Sequence, residues 1–114
     1  GIKSEENAAF QVAYREAYGR TASEFAVQGY DTARLIVEAL RARGGDTEDR
    51  AALVSAMHAV SFTGPRGTLR IDPATNNIIQ DIHIFETRLG VEGMELKVIE
   101  SLPAMQDPTN GCAF

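Results

Sequence analysis

Hydrophobic positions follow a helical spacing up to about residue 60 and an alternating one after it. From Glu5 to Tyr18, the residues Phe10, Ala13, Tyr14, Ala17 and Tyr18 stand at i, i+3, i+4, i+7 and i+8, the apolar stripe of a helix laid on a core. Ser4 offers a capping oxygen at its start and Gly19 a permissive stop at its end. A second helix is predicted from Ser23 to Arg43, with Ala26, Tyr30, Ala33, Val37 and Leu40 on one face. Gln28, Asp31, Arg34, Glu38 and Arg41 fall largely elsewhere. Arg41 and Arg43 complement the helix dipole and Gly44-Gly45 ends it. Gly29 inside this helix costs up to about 1 kcal/mol against alanine, which points to close packing by another helix or a ligand. A third helix opens at Asp46-Thr47-Glu48-Asp49 and continues through Leu53, Met57 and Val60.

The stretch FTGPRGTLRIDPATNN, residues 62–77, then sets two clusters of turn residues around a short strand, Thr68 to Asp72. From Ile78 to Thr87 the period is two, with Ile82 and Ile84 opposite His83 and Phe85. From Met94 to Ser101, Met94, Leu96 and Val98 alternate with Glu95, Lys97 and Ile99. Arg88 to Gly93 is a turn joining these runs into an antiparallel hairpin. Pro103 to Phe114 has no period and reads as a loose tail. The expected class is α+β, three helices followed by a short strand and an antiparallel β-hairpin. Three amphipathic helices then have too little sheet to cover.

Composition narrows the functional classes. The chain has 114 residues, 44% hydrophobic and 24% charged, enough for one small domain that buries roughly two-thirds of its unfolded surface. No apolar run is long enough to span a bilayer. The chain does not open on a basic n-region followed by an apolar stretch, so Gly1 does not read as the start of an intact secretory precursor. The formal charge is −5 with the cationic residues scattered, which argues against nucleic acid. Cys112 is the only cysteine, so no intrachain disulfide is expected.

Catalytic chemistry finds no foothold. His58 and His83 lie on different elements and lack metal-pair spacing, and Asp46, Glu48 and Asp49 are explained by helix capping rather than a calcium loop. Gly44-Gly45 ends a helix, the wrong end for a phosphate. Ser55 and Ser61 have no evident histidine and carboxylate partners. No enzyme activity, metal or cofactor is expected. Phe10, Tyr14, Tyr18 and Tyr30 fall on stripes assigned to the core. Phe25 differs: it stands in the first turn of the second helix, off the Ala26/Tyr30/Ala33 face. An aromatic there can flank a pocket toward which backbone N–H groups also point.

Several segments together carry a resemblance: Asn7-Ala8-Ala9-Phe10 with Tyr14 and Tyr18-Gly19, then Phe25 through Ala33, then Phe62-Thr63-Gly64-Pro65-Arg66-Gly67 with Asp72 and Asn76/Asn77. In order and spacing the chain, up to about Ser101, resembles the C-terminal third of a type I periplasmic solute-binding protein of the leucine/isoleucine/valine-binding family that serves ABC importers. The resemblance implies an α/β protein of two lobes that close on a small ligand. Residues 1–77 would be a helical segment completing the first lobe plus a turn-rich passage, 78–102 a crossing strand and hairpin returning to the second, and 103–114 the tail. On this reading Gly1 is a truncation or cleavage point, and the missing sheet belongs to the N-terminal part of the same protein. The resemblance places Phe25 against the ligand's side chain; Gln28, one turn on, is a further geometric candidate. The implied partners are a small solute and an ABC permease in the membrane. The implied location is periplasmic, or lipid-anchored outside the cytoplasm.

Three functions compete at this stage: transport by capture and delivery of a solute, ligand sensing by the same fold in a receptor or regulator, and a free-standing interaction module. A signal peptide or lipidated cysteine upstream would favour the first, a transmembrane helix leading to a signalling domain the second. A cooperative thermal transition of a monomer at low concentration would favour the third.

Overall fold

The computed structural model describes residues 1–91 and 93–108. Cys112 and the end of the expected tail lie outside the described residues. Three helices, α1 (Glu5–Tyr18), α2 (Glu24–Ala42) and α3 (Arg50–Ala59), precede four strands. These are β1 (Ser61–Gly64), β2 (Gly67–Ile71), β3 (Ile78–Gly90) and β4 (Gly93–Met105), which pair antiparallel in the order β1-β2-β3-β4. The class is α+β, as the periodicity predicts.

Local chemistry sets the helix ends. Ser4 Oγ accepts from the Asn7 amide at 3.1 Å, Ser23 Oγ from the Ala26 amide at 3.4 Å, and Asp49 Oδ1 from the Ala52 amide at 3.0 Å. Gly19 ends α1 at φ 67°, with its N–H on the Arg15 carbonyl. The third helix starts later than its run of acids suggests. Asp49 is its cap, while Asp46 turns back to accept from the Glu48 amide and pairs with Arg43.

The passage around Gly64-Pro65 is more ordered than a double turn. Ser61–Gly64 and Gly67–Ile71 form a tight hairpin in register Ser61↔Arg70 to Gly64↔Gly67, with Pro65 and Arg66 at its tip. The missed strand, β1, is only four residues long, too short for alternation to declare itself beside a proline. At the other end, β4 runs on through Pro103, Ala104 and Met105, residues expected in the loose tail. Gln80 pairs with Met105, and the Ala104 amide donates to Asp81 Oδ1 at 2.9 Å, so strand pairing holds this segment.

The loop between β2 and β3 is built on Asp72. Its Oδ1 accepts from the Ala74 amide at 2.9 Å, its carbonyl from the Asn76 amide at 2.8 Å, and its Oδ2 from Gln106 Nε2 at 2.6 Å. Asn76 takes the left-handed backbone, φ 58°, which asparagine tolerates better than most residues. Asn77 Nδ2 donates to Asp107 at 2.8 Å. The reversal is thus tied at two points to the chain just past β4.

Packing is thin. Among the described residues the buried apolar ones are Ala39, Leu69 and Ile79. The chain extends over 52 × 36 × 19 Å with a radius of gyration of 16.5 Å, against about 13 Å for a compact chain of this length. The face of α2 that meets the hairpin is not the one its apolar stripe marks. Asp31 is buried there, while Tyr30, Ala33 and Val37 remain exposed. A charged residue assigned to the outer face is thus inside, and the apolar stripe lies uncovered.

The long hairpin β3–β4 has two sides of changing character. Paired residues share a face and neighbours alternate. Leu89/Met94, Thr87/Leu96 and Phe85/Val98 therefore lie together, opposite Arg88/Glu95 and Glu86/Lys97. Between Val98 and Glu100, Ile99 is an extra residue, a bulge opposite the Phe85 to Ile84 step. Inward of it the apolar pairing moves to the other face, at Ile84 and Ile82/Leu102, and the first face carries His83/Ser101.

Candidate ligand-binding face

Phe25 sits in the first turn of α2, and α1 fixes where that turn begins. The Ala22 amide donates to Gln11 Oε1 at 3.0 Å, and the Phe10 and Tyr30 rings meet at 4.9 Å. With Ala26 N–H on the Ser23 side chain and Val27 N–H on the Ser23 carbonyl, the N–H groups of Glu24 and Phe25 are the first-turn donors with no partner of this kind. Phe25 is 73% exposed. Gln28, three residues on, shares its side of the helix and is exposed as well. The two candidates therefore form one outward-facing patch of a ring, an amide and a helix N-terminus. Glu24 adds a negative charge to the same turn, so the patch suits an apolar group better than an anion. A ligand's carboxylate would have to be recognised by other residues.

The interior glycine expected to mark a close approach does not mark one within the chain: a Cβ at Gly29 would meet open space among the described residues. Between α1 and α2 runs a shallow apolar groove of about 330 Å³, floored by Ala13, Ala17 and Ala26 and walled by Tyr14, Tyr18 and Tyr30. Phe10, Tyr14 and Tyr18 stack in sequence along it, with centroids 5.8 and 4.5 Å apart. His58 Nε2 is 2.8 Å from Asn76 Oδ1, and His83 Nδ1 is 2.8 Å from Ser101 Oγ.

The segments that carry the resemblance most strongly turn out to touch each other. Arg66 Nε, at the tip of the β1–β2 hairpin, donates to Asp31 Oδ2 at 2.7 Å. One turn along α2, Arg34 Nη1 donates to the Thr63 carbonyl at 2.9 Å and its guanidinium lies 4.8 Å from the Phe62 ring centre. Gly64 packs directly on the Asp31 carboxylate, where a Cβ would clash with Oδ1 and crowd Cγ and the Phe62 ring at 3.3 Å. Asp31 is 2% exposed and its Oδ1 has no hydrogen-bond partner. Burial pushes its carboxyl above the ordinary value of 3.8, against the hydrogen bond and charge of Arg66 and the charge of Arg34. Asp72 shifts the other way, held low by the Ala74 amide, with further help from Gln106 and Thr75. The helical periodicity sets Asp31 off the apolar face of α2; its partner and its burial were missed. The available signal was the aspartate of the Gly29-Tyr30-Asp31 run, answered by the single arginine of a glycine-proline tip.

A family model described as periplasmic binding protein matches residues 1–92. The Leu/Ile/Val-binding protein homolog 6 of Brucella abortus is 32% identical over 92% of this chain, which spans 27% of that relative. A solute-binding protein of an ABC transporter from Rhodopseudomonas palustris BisB5, solved with 3,4-dihydroxybenzoic acid, superimposes at a TM-score of 0.85 with 33% identity. That match covers 92% of this chain and 29% of the other. A second Rhodopseudomonas palustris solute-binding protein, solved with benzoate, gives 0.84 and 32%, covering 99% and 30%. The fold is thus that of a segment of type I periplasmic binding proteins, and the chain's length is under a third of theirs. The chain belongs to the periplasmic binding protein family.

Proposed function

We propose that this chain is the C-terminal third of the substrate-binding component of an ABC importer. It acts by closing two lobes on a small solute and delivering it to a membrane permease, without covalent chemistry. Residues 1–77 complete the first lobe, 78–102 carry the crossing strand and hairpin to the second, and the protein works outside the cytoplasm, in the periplasm or on a lipid anchor. The observation that carries the reading is Phe25: a large aromatic ring, 73% exposed, at a helix start that α1 holds in place. Phe25 forms the apolar wall of the ligand site and Gln28 its polar neighbour. The face switch along β3–β4 supports the crossing role, because such a ribbon presents apolar surface in opposite directions at its two ends.

The proposed solute is a small aromatic carboxylate, with a branched-chain amino acid as the alternative. The benzoate and dihydroxybenzoate complexes of relatives at 32–33% identity support the first, and the name of the Brucella relative supports the second. Burying a phenylalanine side chain against either is worth about 1.5–3 kcal/mol. Calorimetry on the full-length protein with benzoate and with leucine tests the reading. Phe25→Ala should weaken binding of the true ligand class by more than about 1 kcal/mol. Unchanged affinity for both would return Phe25 to the status of an ordinary surface residue.

A further inference from the structure

The contact between α2 and the β1–β2 hairpin is polar where the rest of the helix layer is apolar. It has three parts: the Arg66–Asp31 ion pair at 2.7 Å, the Arg34–Thr63 hydrogen bond at 2.9 Å, and the close seating of Gly64 on the Asp31 carboxylate. Asp31 and Arg34 are one turn apart, so α2 is gripped on two successive turns by one hairpin. Leu35 and Leu69 line a cavity of about 40 Å³ next to the ion pair, so apolar packing beside the grip is incomplete. The grip therefore depends on specific atoms rather than on area. Two polar contacts on successive turns, Arg66 with Asp31 and Arg34 with Thr63, hold the axial position of the helix against the hairpin, since sliding along the helix would lengthen both.

The same helix carries Phe25 six residues, about 9 Å, further toward its start. The hairpin leads through β2 and the Asp72 loop directly into β3, and Gln106 ties that loop to the end of β4. One chain of defined contacts thus runs from the turn bearing Phe25 to the long β3–β4 ribbon. We infer that Asp31 and Arg66 are positioning residues for the ligand site: they set the height of α2 relative to the β3–β4 ribbon and so place Phe25, without touching ligand. The inference rests on the proposed role of Phe25 in binding.

A double-mutant cycle in the full-length protein tests it, with benzoate and leucine as probes and calorimetry as the readout. Arg66→Met keeps the aliphatic stem and removes the donor; it should weaken binding about five- to tenfold in the wild-type background. In the Phe25→Ala background it should weaken binding less than about twofold, because the group it positions is gone. Arg66→Lys should recover most of the affinity lost in Arg66→Met. A merely structural pair would lower thermal stability but leave the affinity of the folded protein, and its coupling to Phe25, unchanged. Equal losses from Arg66→Met in the two backgrounds, or no loss in either, overturn the inference. A null effect of Phe25→Ala itself overturns the ligand reading beneath it, so the two failures are distinguishable. Should Arg66→Met not fold, Asp31→Asn, which removes the charge of the other partner, completes the cycle with and without Phe25→Ala against the same criterion.

Discussion

Gly64→Ala is the sharpest single perturbation of this structure. Gly64 needs no unusual backbone, since its φ is not among the positive values, so the substitution adds one methyl group and no strain of that kind. The methyl would clash with Asp31 Oδ1 and stand 3.3 Å from both Asp31 Cγ and the Phe62 ring. Comfortable contact between such atoms is about 3.5–4.0 Å, so the carboxylate must retreat by roughly 1 Å. It has little freedom to do so: Asp31 is 2% exposed and Arg66 holds its other oxygen at 2.7 Å. Overpacking of a closed site costs about 1–3 kcal/mol, and loosening the bond to a buried carboxylate moves the sum toward the upper end. The expected loss is about 2–3 kcal/mol, or roughly 10–20 °C in Tm for a domain of this size. Urea unfolding measures it. The cause is identified by removing the obstacle: Asp31→Ala/Gly64→Ala should lose less than the sum of the two single variants by more than about 1 kcal/mol. A loss below about 0.5 kcal/mol for Gly64→Ala, or strict additivity with Asp31→Ala, would refute the contact as drawn.

Two other measurements address the remaining features. The two shifted carboxyls have opposite pH signatures. Asp31 lies above 3.8, so its contribution is fully present below that pH and is lost as pH rises through its folded value. Relative to Asp31→Asn, the wild type should therefore gain stability on acidification from 7 toward 4; a flat difference contradicts the burial of that group. Asp72 lies below 3.8, so its contribution is present above that pH and disappears as pH falls through its folded value. Asp72→Asn should accordingly flatten the acid limb of the stability profile, and an unchanged limb would show that the loop does not depend on this carboxylate. Gly29→Ala, at a helical position open to solvent, should raise stability by up to about 1 kcal/mol; a loss in the full-length protein would mean that another segment packs on Gly29.

What the sequence disclosed was the chemistry that acts over a few residues. Ser4 and Gly19 could be read because a cap and its amide are three or four positions apart. The exposure of Phe25 could be read because an aromatic out of phase with its helix stripe has no local reason to be buried. Asp31 was misplaced because the decision to bury it is made by Arg66, 35 residues downstream, and periodicity sees no such partner. Tyr30 and Val37 went the other way: their spacing marks a face to be covered, but no described residue of this chain covers it fully, and both remain more than 40% exposed. β1 was hidden by brevity. Ile99 was hidden by regularity, since one extra residue inside an alternating run is invisible until the partner strand is known.

That extra residue has a mechanical meaning. Without the bulge, with Ile99 paired in line opposite Ile84, β4 would keep one phase throughout and Leu102 would lie on the side of Val98, away from Ile82. With the bulge, the ribbon is a strip glued on its front near the tip and on its back near the base. No single flat layer can hold both halves, so the ribbon behaves as a rivet whose two heads point in opposite directions. Deleting Ile99 would leave Glu100, Ser101 and Leu102 opposite Ile84, His83 and Ile82 as they are now and remove only the local bend and added twist of the bulge.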